Sequence, residues 1–329
     1  MRSQPPAARP EVLLAAPIPS GPSLESRFDV HRLWEAADAD GLIARRGGAV
    51  RGLVAAGPLV VDDDFLARLP ALEIVANFGV GYDRVDAVAA RRRGVMVTNT
   101  PDVLTDEVAD LTLGLLIATV RRLPQADRFV RAGRWGREAF PLSASLRGRT
   151  VGIVGLGRIG LAVAERCAAF GLPVAYFSRA EKPGVAYRHY GSVAALAAAV
   201  DTLIVTAAGG PATEGLVGAE AIAALGPNGV LVNVARGSVV DEAALIEALE
   251  AGRLLAAGLD VFRDEPNVPA RLAALDNVVL LPHVGSASVA TRAAMGELVV
   301  ANLVAWFEEG RALTPVAECR VRGAPAHGD

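Results

Sequence analysis

The run Val151-Gly-Ile-Val-Gly155-Leu156-Gly157-Arg158-Ile159-Gly160 constrains this chain more than any other stretch. A short apolar strand stops at a glycine cluster, and a helical pattern, Ile159–Ala169, begins at once. A G-x-G-x-x-G spacing means little alone and much more between a strand and a helix of a βαβ unit. Gly155 permits the tight turn, Gly157 lets the backbone approach a pyrophosphate, and Gly160 lets the helix pack against the strand. The helix start then offers free N–H groups and a positive dipole end to the anion.

The same alternation runs through the chain. Short β-rich runs (EVLLAA, RGLVAA, LEIVANF, GVMVTN, TVGIVG, PVAYFS, TLIVTA, GVLVNV, LAAGLDVF, NVVLLP) are separated by helical stretches such as Val85–Arg93, Asp241–Glu250 and Ala287–Phe307. Strands alternating with helices predict parallel sheets, and nearly continuous apolar strands predict sheets covered on both faces. Ten such strands are too many for one sheet of this kind. With 329 residues and about 150 per domain, two domains are expected, both α/β with Rossmann-like or flavodoxin-like parallel sheets. Residues 10–102 and 288–321 form the expected substrate (catalytic) domain. Residues 103–287 form a dinucleotide-binding domain inserted into it, with 105–122 as a linking helix. Residues 1–9 and 322–329 read as flexible tails.

Composition excludes several classes. A 52% hydrophobic, 21% charged chain can fill a sizeable core, so wholesale disorder is ruled out. A net charge of −3 argues against nucleic acid or an acidic membrane as the main partner. The longest uncharged run in a helical pattern, Leu111–Val120, is shorter than the roughly 20 apolar residues of a span. The start, MRSQPPAARP, reads as a ragged terminus before a first strand and not as a signal peptide. Cys167 and Cys319 form no C-x-x-C pair, so no metal is expected, and a reducing, cytoplasmic compartment fits.

The strand after the glycine motif ends Tyr176-Phe177-Ser178-Arg179, with Lys182, the only lysine, close behind. An NAD-binding turn usually carries an acid here for the ribose 2′-OH. A hydroxyl and two cations suit a 2′-phosphate instead. NADP(H) is therefore the expected cofactor, with NAD(H) second.

Four histidines are present, and three read as uninformative: His31 in a helical stretch, His189 in a polar loop, His327 in the tail. His283 alone stands just past an apolar strand, in VVLLPHVGS. Arg236 follows GVLVNVA, and Glu265 follows LAAGLDVFRD. Carboxyl ends of parallel strands are where such folds build sites. Three charged residues at three strand ends fit a hydride-transfer site, but spacing alone leaves their roles open.

The strings VGIVGLGRIG, NVARGSVVDEAAL, GLDVFRDEP and VVLLPHVGSAS together resemble the D-isomer-specific 2-hydroxyacid dehydrogenase family. The likeness is dense from about residue 150 to 295, sparser through NFGVGYDRVD, NTPDVLTDEVADLTLGLL and RFVRAGRW, and faint before about residue 50. Within the family, YFSR with Lys182 looks most like the NADPH-dependent glyoxylate/hydroxypyruvate and hydroxyphenylpyruvate reductases.

The resemblance implies roles. Arg236 binds the substrate carboxylate and keto oxygen, His283 is the general acid, and Glu265 pairs with it, favouring the imidazolium. A 2-keto acid is reduced to the (R)-2-hydroxy acid. The cofactor-contacting set comprises Gly155, Leu156, Gly157, Arg158, Ile159, Gly160, Ser178, Arg179, Lys182, Thr105, Val234, Ala235, Asp260 and Gly285, with Asp260 on the nicotinamide carboxamide. The substrate set adds Leu53, Val80, Gly81 and Trp135 to Arg236 and His283, with Phe78 and Met295 further pocket candidates. Phe78-Gly79-Val80-Gly81 matches the family's carboxylate-binding loop, whose glycines free N–H groups for an anion. The run Val205–Pro211 departs from the Cys-Pro-Leu-Thr-Pro-like stretch of many relatives.

A homodimer built around Thr105–Trp135 is expected, because the helix there looks too apolar for a monomer's surface. Alternatives are another 2-hydroxyacid dehydrogenase, such as a hydroxyphenylpyruvate or 2-ketogluconate reductase, and a non-catalytic dinucleotide-sensing corepressor or scaffold. Glu265 disfavours the formate dehydrogenases, which carry Gln there, and the end soon after Phe307 disfavours forms with a regulatory domain.

Overall fold

Every apolar run named above becomes a parallel strand. A computed structural model describes residues 9–320, and within them the chain divides into two units, residues 9–104 with 288–320, and residues 105–287. The expected tails, apart from Arg9, and His327 lie outside the described residues.

The first unit holds β1 (Glu11–Leu14), β2 (Asp29–Arg32), β3 (Val50–Ala55), β4 (Ile74–Asn77) and β5 (Met96–Thr98). Their order is β2-β1-β3-β4-β5, all pairs parallel. This is the flavodoxin-type order, which reverses between β1 and β3. The second unit holds β6 (Val151–Val154), β7 (Val174–Phe177), β8 (Arg188–Tyr190), β9 (Thr202–Val205), β10 (Val230–Asn233), β11 (Ala256–Leu259) and β12 (Val278–Leu280). Their order, β12-β11-β10-β9-β6-β7-β8, is the Rossmann order with one added strand. It reverses between β6 and β9, where the carboxyl ends of the strands leave a crevice.

β2 and β8 replace two sequence expectations. His31 lies in β2, not in a helix, and His189 lies in β8, not in a loop. Both strands are edges with polar sequences, DVHR and RHY, so no apolar period marks them. The helix Thr105–Val120 ends short of Arg122, and a second helix, Leu123–Arg131, follows.

The core of the second unit explains the apolar character of Thr105–Val120. Leu113, Leu115 and Leu116 are buried against Val151, Ile153, Val163 and Val232. Contact is close because β11 carries Gly258, where a Cβ would lie 2.5 Å from Thr119 Oγ1 and 2.9 Å from Leu115 Cγ. The helix buries its apolar side within its own unit, which removes the reason for assigning it to a dimer surface. At about 1.5–3 kcal/mol per fully buried aliphatic side chain, these leucines weigh heavily in that unit's stability.

The helix Val289–Glu309 begins at Ser288, whose Oγ accepts the Thr291 N–H at 3.2 Å. By length and composition it could cross a membrane. Val299, Val300 and Leu303 are instead buried in the core of the first unit, against Val12, Leu14 and Val54.

Candidate functional site

In the second unit the glycine turn has the form its sequence predicts. Gly155 sits at φ +96°, and a Cβ there would lie 2.6 Å from the Ala207 backbone. A Cβ on Gly160 would lie 2.2 Å from Gly155 O, so the helix could not approach the turn with any other residue. Thr206 Oγ1 donates to Gly155 O at 2.7 Å and ties the carboxyl ends of β6 and β9 together. Gly157, which brings no capping side chain, opens the helix Arg158–Ala169, and nothing lies within 4 Å of the position a Cβ would take. A pyrophosphate fits that opening, with the helix dipole to hold it.

The ribose-side turn is pinned from beneath. Tyr176, fully buried, accepts the Lys182 N–H on its hydroxyl at 2.8 Å. His189 Nε2 lies 3.0 Å from Ser178 O. The Ser178 hydroxyl donates to Ala180 O at 2.5 Å, and Arg179 and Lys182 beside it are exposed.

Three strand ends are stitched together by backbone and side-chain bonds. Asn233, buried at the end of β10, donates through Nδ2 to Arg236 O at 3.0 Å and accepts the Ala235 N–H on Oδ1 at 3.0 Å. Its carbonyl accepts the Asp260 N–H at 2.9 Å, and the Asp260 carbonyl accepts the His283 N–H at 2.9 Å. Arg236, His283 and the turn between them are therefore spaced by one continuous network. The Arg236 guanidinium donates to Ala235 O through Nη1 at 2.8 Å. Arg236 is followed by Gly237, whose Cβ would lie 1.9 Å from the Phe262 carbonyl carbon. That close approach brings the Arg236 turn against the loop that carries Glu265.

Glu265 Oε2 lies 2.8 Å from His283 Nδ1, and Oε1 accepts the Phe262 N–H at 3.0 Å. Partial burial alone would raise the Glu265 carboxyl. The bonds to His283 and Phe262, with the charges of His283 and Arg236, outweigh it and hold the carboxyl below its ordinary value. His283 itself sits at φ +55°, a left-handed conformation uncommon outside glycine, though histidine, asparagine and aspartate adopt it more readily than other residues.

Asp260 explains how that conformation is held. It is 1% exposed, and its carboxylate accepts the Val284 N–H at 2.7 Å and the Gly285 N–H at 2.8 Å. Burial raises its carboxyl pKa against the opposing pull of those two bonds. The nicotinamide contact expected of Asp260 meets a carboxylate already engaged in building the 283–285 turn.

The remaining expected residues are dispersed. Thr105 opens the helix Thr105–Val120, Val234 and Ala235 follow β10, and Gly285 lies 3.1 Å, as a Cβ, from Asp260 Oδ2. Trp135 is 72% exposed. In the first unit, Val80 and Gly81 follow β4 and are half-buried. Leu53 is fully buried in that unit's core with Val75 and Val97, and Met295 is 1% exposed. Neither side chain presents more than a trace of surface. Sequence reasoning missed Asn77, Asn99, Asn233 and Gly237. A polar residue closing an apolar strand, as in LVN and VAN, was the available signal for Asn233 and Asn77. Glu11, Asp29 and His31 bring ligand-type atoms within 4.8 Å of one another, and a His31–Glu11 contact of 2.8 Å accounts for the core of that group.

Fold and glycine turn define a dinucleotide-binding α/β protein. A family profile described as D-isomer specific 2-hydroxyacid dehydrogenase, NAD binding domain, matches residues 113–285. The chain belongs to that family. It is 49% identical over 293 residues to a hydroxyphenylpyruvate reductase of Plectranthus scutellarioides, covering 89% of this chain and 94% of the relative. It is 46% identical to a glyoxylate/hydroxypyruvate reductase A of Arabidopsis thaliana, covering 93% and 98%. Among crystal structures, the NADPH-dependent glyoxylate/hydroxypyruvate reductase of Sinorhizobium meliloti, in complex with NADP and malonate, is 53% identical with a TM-score of 0.89, covering 95% of this chain and 98% of that one.

Proposed function

We propose that this chain reduces a 2-keto acid, glyoxylate or hydroxypyruvate first, to the (R)-2-hydroxy acid with NADPH. The observation that carries the reading is the Glu265–His283 pair: with Nδ1 turned to the carboxylate at 2.8 Å, Nε2 is the nitrogen left for proton transfer. Cofactor fit is supported by the cradle at Gly155, Gly157 and Gly160, where side chains are excluded or space is open. When bound, NADPH supplies the hydride. Arg236, permanently charged and forked, holds the carboxylate and polarises the keto oxygen. His283 gives its proton to that oxygen as the keto carbon is reduced, and Glu265 stabilises the imidazolium and fixes its ring. Asn233 and Asp260 hold both groups in place through the strand-end network. Residues 103–287 serve as the nucleotide domain and 10–102 with 288–321 as the substrate domain.

The working unit is a homodimer in a reducing, cytoplasmic compartment. Two free thiols support the compartment. Exposed apolar side chains on Leu123, Val130 and Trp135, in the later part of the Thr105–Trp135 region, and on Leu142 just beyond it support the interface. Small keto acids are the partners; nucleic acid and membrane are not.

The test is absorbance at the reduced-nicotinamide band, with NADPH and NADH each offered glyoxylate, hydroxypyruvate, hydroxyphenylpyruvate and 2-ketogluconate. Oxidation of NADPH with one clear best substrate supports the reading and sizes the pocket. Preference for one of the two larger acids would favour the bulkier-substrate reductases, in keeping with the 49% identical relative. No turnover by a protein that binds NADPH would overturn the proposal.

A further inference from the structure

The loop after β4 is held in an unusual way. Asn77 Nδ2 donates to both Gly79 O and Gly81 O, each at 3.0 Å. Asn99 Nδ2 donates to the carbonyl between them, Val80 O, at 2.9 Å. The Thr100 N–H adds a second bond to Gly79 O at 3.0 Å. Three consecutive carbonyls are thus each fixed by a donor from a strand end of the same sheet.

A trans peptide is planar, and its N–H points opposite to its C=O. Fixing Gly79 O therefore aims the Val80 N–H away from Asn77, and fixing Val80 O aims the Gly81 N–H away from Asn99. Among the described residues neither N–H has an acceptor in the protein. Successive N–H groups turned outward at a loop form an anion-binding concavity.

We propose that Asn77 and Asn99 are positioning residues that hold the Val80 and Gly81 amides ready for a substrate carboxylate before one arrives. The inference rests on the function proposed above and assigns it two residues with no part in the chemistry. Residue type supports it. An amide supplies the N–H donors the carbonyls need, whereas aspartate would repel those carbonyls and the incoming anion alike. Asn99 is in turn anchored: its carbonyl accepts the Thr314 hydroxyl at 2.6 Å, and its N–H donates to Thr314 O at 3.2 Å. Asn302, 1% exposed, donates to Thr314 Oγ1 at 2.9 Å and accepts the Leu313 and Thr314 N–H groups at 3.0 Å. The segment after the helix Val289–Glu309 therefore braces the loop through Asn99.

Asn99→Asp and Asn77→Ala are to be compared with the unaltered chain on four readouts: KM and kcat for glyoxylate, the Kd of NADPH by fluorescence, and the Kd of oxalate by calorimetry on the NADP-loaded protein. Losing aligned bonds to a carboxylate raises KM and the oxalate Kd by about 10- to 100-fold. The NADPH Kd stays unchanged, and kcat falls less than KM rises, a split that general loosening would not give. Folded variants whose KM and oxalate Kd stay within about twofold, well inside the scale of one charge-assisted bond, overturn the proposal. If the unaltered chain reduces no keto acid, the oxalate readout still decides: loss of oxalate in the variants keeps the clamp and sinks only the activity, while no oxalate binding to the unaltered chain sinks the clamp. Should both variants fail to fold, Thr314→Val removes the hydroxyl that anchors Asn99 and raises KM more modestly, and an unchanged KM there overturns the clamp.

Discussion

Glu265 reaches His283 Nδ1 with one carboxylate oxygen and the Phe262 N–H with the other. The second bond matters as much as the first, because it stops the carboxylate from following the imidazole if the ring turns. Glu265→Gln keeps the shape and removes the charge. The ring then loses the charged partner that fixes it at Nδ1, and kcat for reduction falls by about tenfold or more, on the scale of one charge-assisted bond. An unchanged kcat would separate Glu265 from the proton transfer. Stability gives a second readout. The Glu265 carboxyl lies below its ordinary value when folded, so its contribution is present above the unfolded pKa, about 4.3, and is lost as pH falls through the folded value. The melting difference between the two proteins is therefore present at neutral pH and shrinks below about pH 4, on the same linkage.

Replacing His283 by Ala removes the proton donor and leaves the Asp260 network in place, since that network uses the residue-283 backbone N–H. Turnover falls by about 10²- to 10⁴-fold, the usual scale for a general acid. NADPH binding, read by fluorescence, is unaffected. A near-normal kcat removes His283 from the mechanism.

What was legible in the sequence was local. Gly155, Gly157 and Gly160 announce the turn, and the structure has the +96° φ and the 2.2 Å and 2.6 Å approaches that make Gly155 and Gly160 necessary, with open space at Gly157. The apolar strands were legible because burial on both faces leaves continuous runs. β2 and β8 were not, because edge strands with DVHR and RHY have no such need. Nor could spacing show that Asp260, Asn233 and His283 share one network, since those bonds cross between strands adjacent only in the sheet. The full burial of Leu53 in its unit's core was not legible either, because a residue's position along a strand does not say how deeply it is covered.

Arg179 is exposed, and the Ser178 hydroxyl already donates within its own turn. On the function proposed above, discrimination at the 2′ position rests on charge. Arg179→Asp replaces attraction for a 2′-phosphate by repulsion and offers a carboxylate that accepts a hydrogen bond from a ribose 2′-OH. The NADPH/NADH ratio of kcat/KM falls by about tenfold or more, on the scale of one charge-assisted bond. Paired progress curves with the two cofactors measure it, and an unchanged ratio rules out the cationic turn as the selector.

Trp135 and Leu142 leave most of their surface to solvent, within the segment that also exposes Leu123 and Val130. Burying such side chains against a second copy removes apolar area from water at about 25 cal/mol per Å². Light scattering at working concentration gives a dimer mass, and Trp135→Glu with Leu142→Glu shifts it toward the monomer. A monomer mass for the unaltered chain contradicts the homodimer.

Gly237 gives the sharpest test of how the chain spaces its charged groups. No positive φ requires glycine there; the requirement is contact. A Cβ would lie 1.9 Å from the Phe262 carbonyl carbon, 2.1 Å from its oxygen and 2.3 Å from Arg263 N, all of them backbone that cannot swing aside. Gly237→Ala must push the Arg236 turn away from the loop of Phe262 and Glu265. Overpacking of this kind costs about 1–3 kcal/mol or more, a loss of several degrees in Tm at roughly 2–4 °C per kcal/mol for a unit of this size. Because the displaced turns carry Arg236 on one side and Glu265 on the other, kcat/KM for the keto acid falls in the folded variant. Thermal melts and steady-state kinetics on the same preparation separate the two effects. A variant with unchanged Tm and unchanged kcat/KM would show that the two turns can part without consequence, and the close approach at Gly237 would then have no bearing on catalysis.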